Sequence, residues 1–460
     1  MLPADWEDDD GPQILALPKD LGELFETYLG NLGGREPAES VIRNAIRCGA
    51  TEVLVERNYI DADYRSEFAN FYAQTFRPLP DRCRRLHFID SAERRYFGFS
   101  VMRPIIGRPV SRTVLMPPES LSPHISCRAP SQASPYGFRF TAHGFPFISQ
   151  DYQYGRCAHA AIWMVAHYFH LAFRRPRYYV SDIVEASREP AWLYRHTPSS
   201  GLTHPQINAA LDSLEMPAIN YILDGLPDGE TPETVACRYL NSRLPVIVLG
   251  ANHARVVIGY GEEEDGTLFF IGNDDARGPY RVIHFEAAEA EEQTIRWERL
   301  VVPIPGRIYL AGEAAEREGS LALAGEIKKD DELAELGSRW ERNDLRVRTY
   351  VSEIASYKHR LRQRGLAPEV AAWHARVSSS HWVWVVELQD RTAAAEGPDC
   401  VVGEVVIDAT SDDIKPNFLC ANLPGKMMRW QALGAPTLSA ESNQKDLYRS
   451  GCALHVAGPA

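Results

Sequence analysis

Apolar residues recur with two different periods along this chain, and the changes between them divide it into three segments. Spacings of three and four near 13–30, 37–48 and 62–76 predict helices, whereas alternation at 52–56 (EVLVE), 85–90, 95–102 (RYFGFSVM) and 111–116 predicts strands. A Pro/Ser-rich stretch at 117–136 has the composition of an ordered loop or linker. Residues 1–140 therefore read as an N-terminal mixed α/β domain. Its Asp61, Asp63 and Tyr64 fit a helix start enriched in acids.

The pattern changes at 141–310. The apolar run FPFIS ends in Gln150, a short polar loop follows, and Cys157 opens a helix to about 171 whose inward face is Ala161, Met164, Val165 and Tyr168. In SSGLTHPQINAALDSLEMP, Thr203 or Ser200 caps a helix through Ile207, Ala210, Leu211 and Leu214. Three strands are expected next, at 244–250, 253–261 and 267–274, with Asp265-Gly266 at a hairpin tip. A helix followed by an antiparallel sheet makes this an α+β domain. The last segment, 311–460, begins with a charged helical stretch, continues with a helix near 346–365, and carries strands at 381–389 and 400–410. It reads as a C-terminal α+β domain.

Composition narrows the classes. At 460 residues the chain is long for one core, and its 45% apolar and 24% charged content is ordinary for a globular protein. A net charge of −13 leaves no basic excess to neutralise phosphates, which argues against a nucleic-acid binder. No apolar run reaches the ~20 residues of a membrane span. The acidic start MLPADWEDDDG has no secretion-signal pattern, and the eight cysteines are scattered without CxxC pairs. The expectation is a cytoplasmic protein with reduced thiols, outside any membrane. No glycine-rich phosphate loop or metal-ligand cluster is legible, so no cofactor is expected. His159, His167 and His170 do not share one helix face with Cys157 and are not read as ligands.

What remains is nucleophile chemistry. A thiol at a helix N-terminus sits at the positive end of the macrodipole, which favours the thiolate, and the thiolate is the nucleophile. His253, at the start of a later strand, supplies an imidazole to take the thiol proton. Asn273, Asp274 and Asp275 end the next strand, where one of them can orient the histidine. The Cys157 amide and a glutamine side chain, Gln150 or Gln153, can serve an oxyanion.

This order resembles the papain-like cysteine peptidase superfamily: strand, Gln, loop, Cys, helix, then His on a strand and Asn/Asp after the next. The nearest likeness is to the bacterial domains that process bacteriocin leader peptides. GLTHPQINAALDSLEMP and LPVIVLGANHARVVIGY…FFIGNDDARGPY are similar to that family's helix pair and its His and Asp signatures. The likeness covers about 145–285. It implies a papain-like core, a helix packed on an antiparallel sheet, flanked by N- and C-terminal α/β domains. It also implies Cys157 as nucleophile, His253 as general base, Asp274 as its orienting group and Gln150 at the oxyanion. Three positions depart from the family. Six residues separate Gln150 from Cys157 where five are usual, Ala158 replaces a common glycine or tryptophan, and Asp275 stands where proline is frequent.

The function these residues predict is a thiol hydrolase, a peptidase or isopeptidase acting on a protein or peptide through a thioester. An acyltransferase, transpeptidase or deamidase would use the same groups. A non-catalytic peptide-recognition protein, or one whose flanking domains bind a regulatory partner, is the reading from a different class.

Overall fold

In the computed structural model the described residues are 13–24, 35–76, 79–188, 199–250, 252–285, 297–363, 368–377, 379–391, 400–412 and 416–430. The chain is α+β and forms two compact units. Met1–Glu233 with Arg243–Ile304 make the first, and Thr234–Ser242 with Pro305–Ala460 make the second. The segments on either side of residue 140 thus lie in the same unit.

The first unit holds two six-stranded antiparallel sheets. One runs in the order Gln13–Ala16, Glu52–Tyr59, Cys83–Asp90, Arg95–Met102, Val110–Leu115 and Pro146–Phe147. Glu52–Tyr59 starts with clean alternation, burying Val53 and Val55 between half-exposed neighbours, whereas the next two strands are buried along most of their length. Gln13–Ala16 corrects the helix expected from residue 13: Ile14 and Leu15 are read by period two once they pair with Leu54 and Val53.

The other sheet runs Gly278–Ile283, Leu268–Asp274, His253–Glu262, Val246–Gly250, Trp297–Pro303 and Ala218–Ile222. The helix Cys157–Phe173 packs on its His253–Glu262 strand, and every residue from Ala158 to Phe169 is buried. A helix apolar on all sides has no solvent face and belongs inside. Helix Arg35–Arg47 packs on Gly278–Ile283, where Asn44 Nδ2 donates to the Pro279 carbonyl at 2.9 Å.

The Pro/Ser-rich stretch is part of this packing. Cys127 N donates to the Ile258 carbonyl at 3.0 Å and Ile125 bridges Gly259. A Cβ on Gly259 would lie 2.1 Å from the His124 carbonyl oxygen, so only glycine admits the crossing. Farther along, Ala129–Ala133 pairs with Phe140–Gly144.

The second unit carries a five-stranded antiparallel sheet in the order Leu345–Glu353, Trp382–Asp390, Cys400–Asp408, Phe418–Leu423 and Lys426–Arg429, with helix Gly312–Lys328 against it. Here too one expectation is corrected. Residues 345–353 form a strand and the helix begins only at Ile354, because LRVRTYVSE alternates and pairs along its length with 382–390.

Candidate functional site

Cys157 is the first residue of its helix. The loop before it is shaped by Asp151, whose Oδ1 accepts from the amides of Gln153, Tyr154 and Gly155 at 3.0, 2.9 and 2.7 Å. Its other oxygen accepts from the buried Tyr72 hydroxyl. One carboxylate thereby satisfies three amides and turns the chain toward the helix start. Ser149, two positions before Asp151, is pinned from the other sheet: Arg103 NH2 donates to its carbonyl at 2.6 Å, and its Oγ donates to the Val110 carbonyl at 2.5 Å. Arg103 is itself held by a bidentate contact to buried Glu67, 2.9 Å to each oxygen.

His253 opens its strand opposite Gly250 and lines the same groove as Cys157, whose side chain is near enough to help raise the pKa of its ring. On the other side Nε2 donates to Asp274 Oδ1 at 3.1 Å. Asp274 also accepts from the Ala276 amide at 2.9 Å, and Arg255 Nε lies 2.7 Å from its Oδ2, close but not aligned as a hydrogen bond.

Electrostatics follow from this packing. Burial works against a charged His253, but the hydrogen bond to Asp274, the neighbouring Cys157 side chain and the negative field of Asp274 and Asp275 prevail and raise its pKa to about 10. Burial would likewise raise Asp274, but the bond to His253 and the charges of His253 and Arg255 lower it to about 2. His253 is therefore an imidazolium at neutral pH, paired with an ionised Asp274. Asp275, fully buried, is pushed by desolvation up to about 7. The nearby Gln150 amide favours its anion, yet neither Asp275 oxygen meets a donor in hydrogen-bonding geometry, so that contact is electrostatic.

The three candidates at the strand end thus separate by their contacts. Asn273 Oδ1 accepts from the Tyr280 amide at 3.1 Å and its Nδ2 donates to the Pro146 carbonyl at 3.3 Å, a structural task. Asp275 Oδ1 stays 4.0 Å from His253 Nδ1. Asp274 alone of the three hydrogen-bonds the ring among the described contacts. The glutamines separate as well: Gln150 is buried and lines the same groove as Cys157 and His253, whereas Gln153 is exposed and outside it.

That groove has a volume of about 940 Å³. Beyond the catalytic candidates its walls include the Cys157 helix start, residues 199–207, Leu249, Gly250, Asn252 and Ala254. The Thr203 hydroxyl accepts from the Gln206 amide, so Thr203 is the cap of helix His204–Ser213.

The other histidines have structural work. His159 Nδ1 accepts from the Arg156 amide at 3.3 Å, His167 stacks on Trp163, and His170 Nδ1 bonds the Arg175 carbonyl at 2.7 Å. Asp61 Oδ1 caps the helix Ala62–Asn70 through the Asp63 and Tyr64 amides. Among the described residues one His/Asp group is compact enough for a cation, His253 with Asp274 and Asp275, its ligand atoms within 4.8 Å of one another. Arg255 already occupies the outer edge of Asp274. Sequence reading missed Asp151, whose signal is an acid four residues before Gly155, and Arg103, Tyr72 and Arg255, for which tertiary placement is the only signal.

No protein-family model and no curated protein matches this chain.

Proposed function

We propose that this protein is a cysteine hydrolase of papain-like organisation, acting on a peptide or isopeptide bond. The observation that carries the reading is the set on the groove wall: Cys157 at a helix start, lining the same groove as His253, whose Nε2 is anchored by Asp274. Geometry of this kind is what activates a thiol for acyl transfer. The imidazolium form of His253 holds the proton that the leaving amine needs.

In the first half-reaction the Cys157 thiolate attacks the carbonyl carbon, forming a C–S bond while the carbonyl π pair moves to oxygen. The Cys157 amide and the Gln150 side chain are assigned to that oxyanion. Collapse breaks the C–N bond, and the leaving amine takes the proton from His253. In the second half-reaction neutral His253 removes a proton from water, hydroxide adds to the thioester, and the C–S bond breaks to return the thiolate and a carboxylic acid. Asp274 keeps the ring oriented and compensates its charge throughout. If an amine replaces water as acceptor, the same steps make a transferase.

Alkylation of Cys157 by iodoacetamide, followed by peptide mass spectrometry across pH in the wild type and in His253→Ala, tests the reading. The expected result is a rate at pH 7 that falls roughly tenfold or more in the variant, the factor carried by one unit of protonation bias. An equal, slow rate in both proteins removes the hydrolase. Among active preparations, 18O from water in the new carboxylate identifies hydrolysis, and its replacement by an added amine identifies transfer.

A further inference from the structure

The loop between Gln150 and Cys157 carries a feature that the relay does not use. Tyr152 is 41% exposed and holds φ at +63°, a left-handed conformation that costs a non-glycine residue on the order of 1 kcal/mol. Two guanidinium groups lie over its ring. Arg108 Cζ is 4.4 Å from the ring centroid and its NH2 donates to the Tyr152 hydroxyl at 2.5 Å; Arg156 Cζ is 5.5 Å from the same centroid. Backbone carbonyls steady both: Arg156 Nε donates to Ser199 at 2.7 Å and Arg108 NH1 reaches Ala276 at 3.4 Å.

Two like charges gathered on one ring would ordinarily be offset by an acid. Among the described residues neither arginine has a carboxylate within ion-pair distance, although Arg108 acts on buried Asp275 through space. Tyr152 and Arg156 line the groove, and Arg156 directly precedes Cys157. Among the described residues the one acidic residue lining the groove, Glu298, sits by His204 and Arg299. Behind the groove Asp274 pairs with His253, so the charge that the lining itself presents next to Cys157 is the Arg156 guanidinium, and the positive end of the helix lies beside it.

Resting on the hydrolase reading, we propose that the Arg108–Tyr152–Arg156 cluster is a specificity site for a carboxylate next to the scissile bond. The substrate class is a peptide with a Glu or Asp side chain, or a free terminal carboxylate, flanking the cleaved amide. Guanidinium groups suit this partner because they present planar, paired donors to carboxylates. The strained tyrosine serves as the platform that keeps them together beside the nucleophile.

The test uses two reagents of nearly equal size on the full chain, anionic iodoacetate and neutral iodoacetamide. Each transfers its methylene to Cys157, forming C–S and expelling iodide. The ratio of their rates at low salt, normalised to glutathione, is expected to be about tenfold above unity and to fall toward unity in Arg108→Gln/Arg156→Gln, while iodoacetamide labelling persists. A normalised ratio that is the same in wild type and double variant, with Cys157 still labelled, overturns the carboxylate site and leaves the hydrolase standing. If neither reagent labels Cys157, both readings fall; if iodoacetamide alone labels it, the carboxylate site falls. Peptides with an internal Glu, an internal Gln, and free or amidated C-termini then separate side-chain from terminal carboxylate recognition. Indifference of the cleavage rate to all these changes also overturns the site.

Discussion

The chemistry at residue scale rests on two opposed pKa shifts. Folding raises His253 from 6.5 to about 10, so its contribution to stability is complete below pH 6.5 and is lost as pH rises through about 10. Folding lowers Asp274 from 3.8 to about 2, so its contribution is complete above pH 3.8 and is lost as pH falls through about 2. Replacing Asp274 by Asn should therefore destabilise most between pH 3.8 and 6.5, with a gap that narrows towards pH 10. Urea melts of both proteins across this range measure it; a gap that widens with pH contradicts the pairing. Histidine NMR should show the His253 titration moving downward in the same variant, because the largest favourable partner of the imidazolium is gone.

At the scale of elements, the site depends on a loop and a crossing. Asp151 satisfies three amides, so Asp151→Ala leaves them without their acceptor and should cost about 1–3 kcal/mol in urea melts. The same change should slow Cys157 alkylation, since the helix start would no longer be aimed. Normal alkylation in a destabilised variant would show that the turn serves stability alone. On the His253 strand, Gly259→Ala drives a Cβ to 2.1 Å from the His124 carbonyl and should cost about 1–3 kcal/mol by overpacking. Gly225→Ala, with open space around its Cβ position, is the control and should leave the melting midpoint nearly unchanged. Equal midpoints for the two variants would mean that the 122–127 crossing is loose.

At the scale of the whole molecule, the groove belongs to a unit that draws on residues well before 141. Trp163 Nε1 in the Cys157 helix donates to Asp63 at 3.0 Å, and Arg103 and Tyr72 hold both sides of Gln150. A 141–310 fragment lacks all three partners and leaves their sites on the helix and loop uncovered. It is expected to give no cooperative thermal transition and no His253-dependent labelling of Cys157, while the full chain gives both. A fragment that melts cooperatively would show that the first sheet is dispensable. Residues Thr234–Ser242 belong with the second unit, where Arg238 NH2 pairs with Glu316 Oε1 at 3.0 Å and the Tyr239 hydroxyl accepts from the Gly312 amide at 3.2 Å.

Local pattern by itself determined much of this. The helix at Cys157, the helix capped near 203 and the strands at 246–250, 253–262 and 268–274 follow from apolar periodicity and turn residues within each stretch. Cys157 and His253 were readable as candidates for the same reason, each at the start of a regular element whose type its neighbours declare, whereas the strand expected to end at Gln150 stops at Phe147. Three things lay beyond that reach. The short strands at 13–16 and 345–353 carry mixed periods that only cross-strand pairing resolves. The choice among Asn273, Asp274 and Asp275 depends on which oxygen meets an imidazole 21 residues away in sequence. The hold of Arg103 and Tyr72 on the Gln150 segment, and the approach of Arg108 to Tyr152, join residues about 40 to 80 positions apart. Local propensity carries no record of such meetings, because burial and charge compensation arise only when distant segments share one interior.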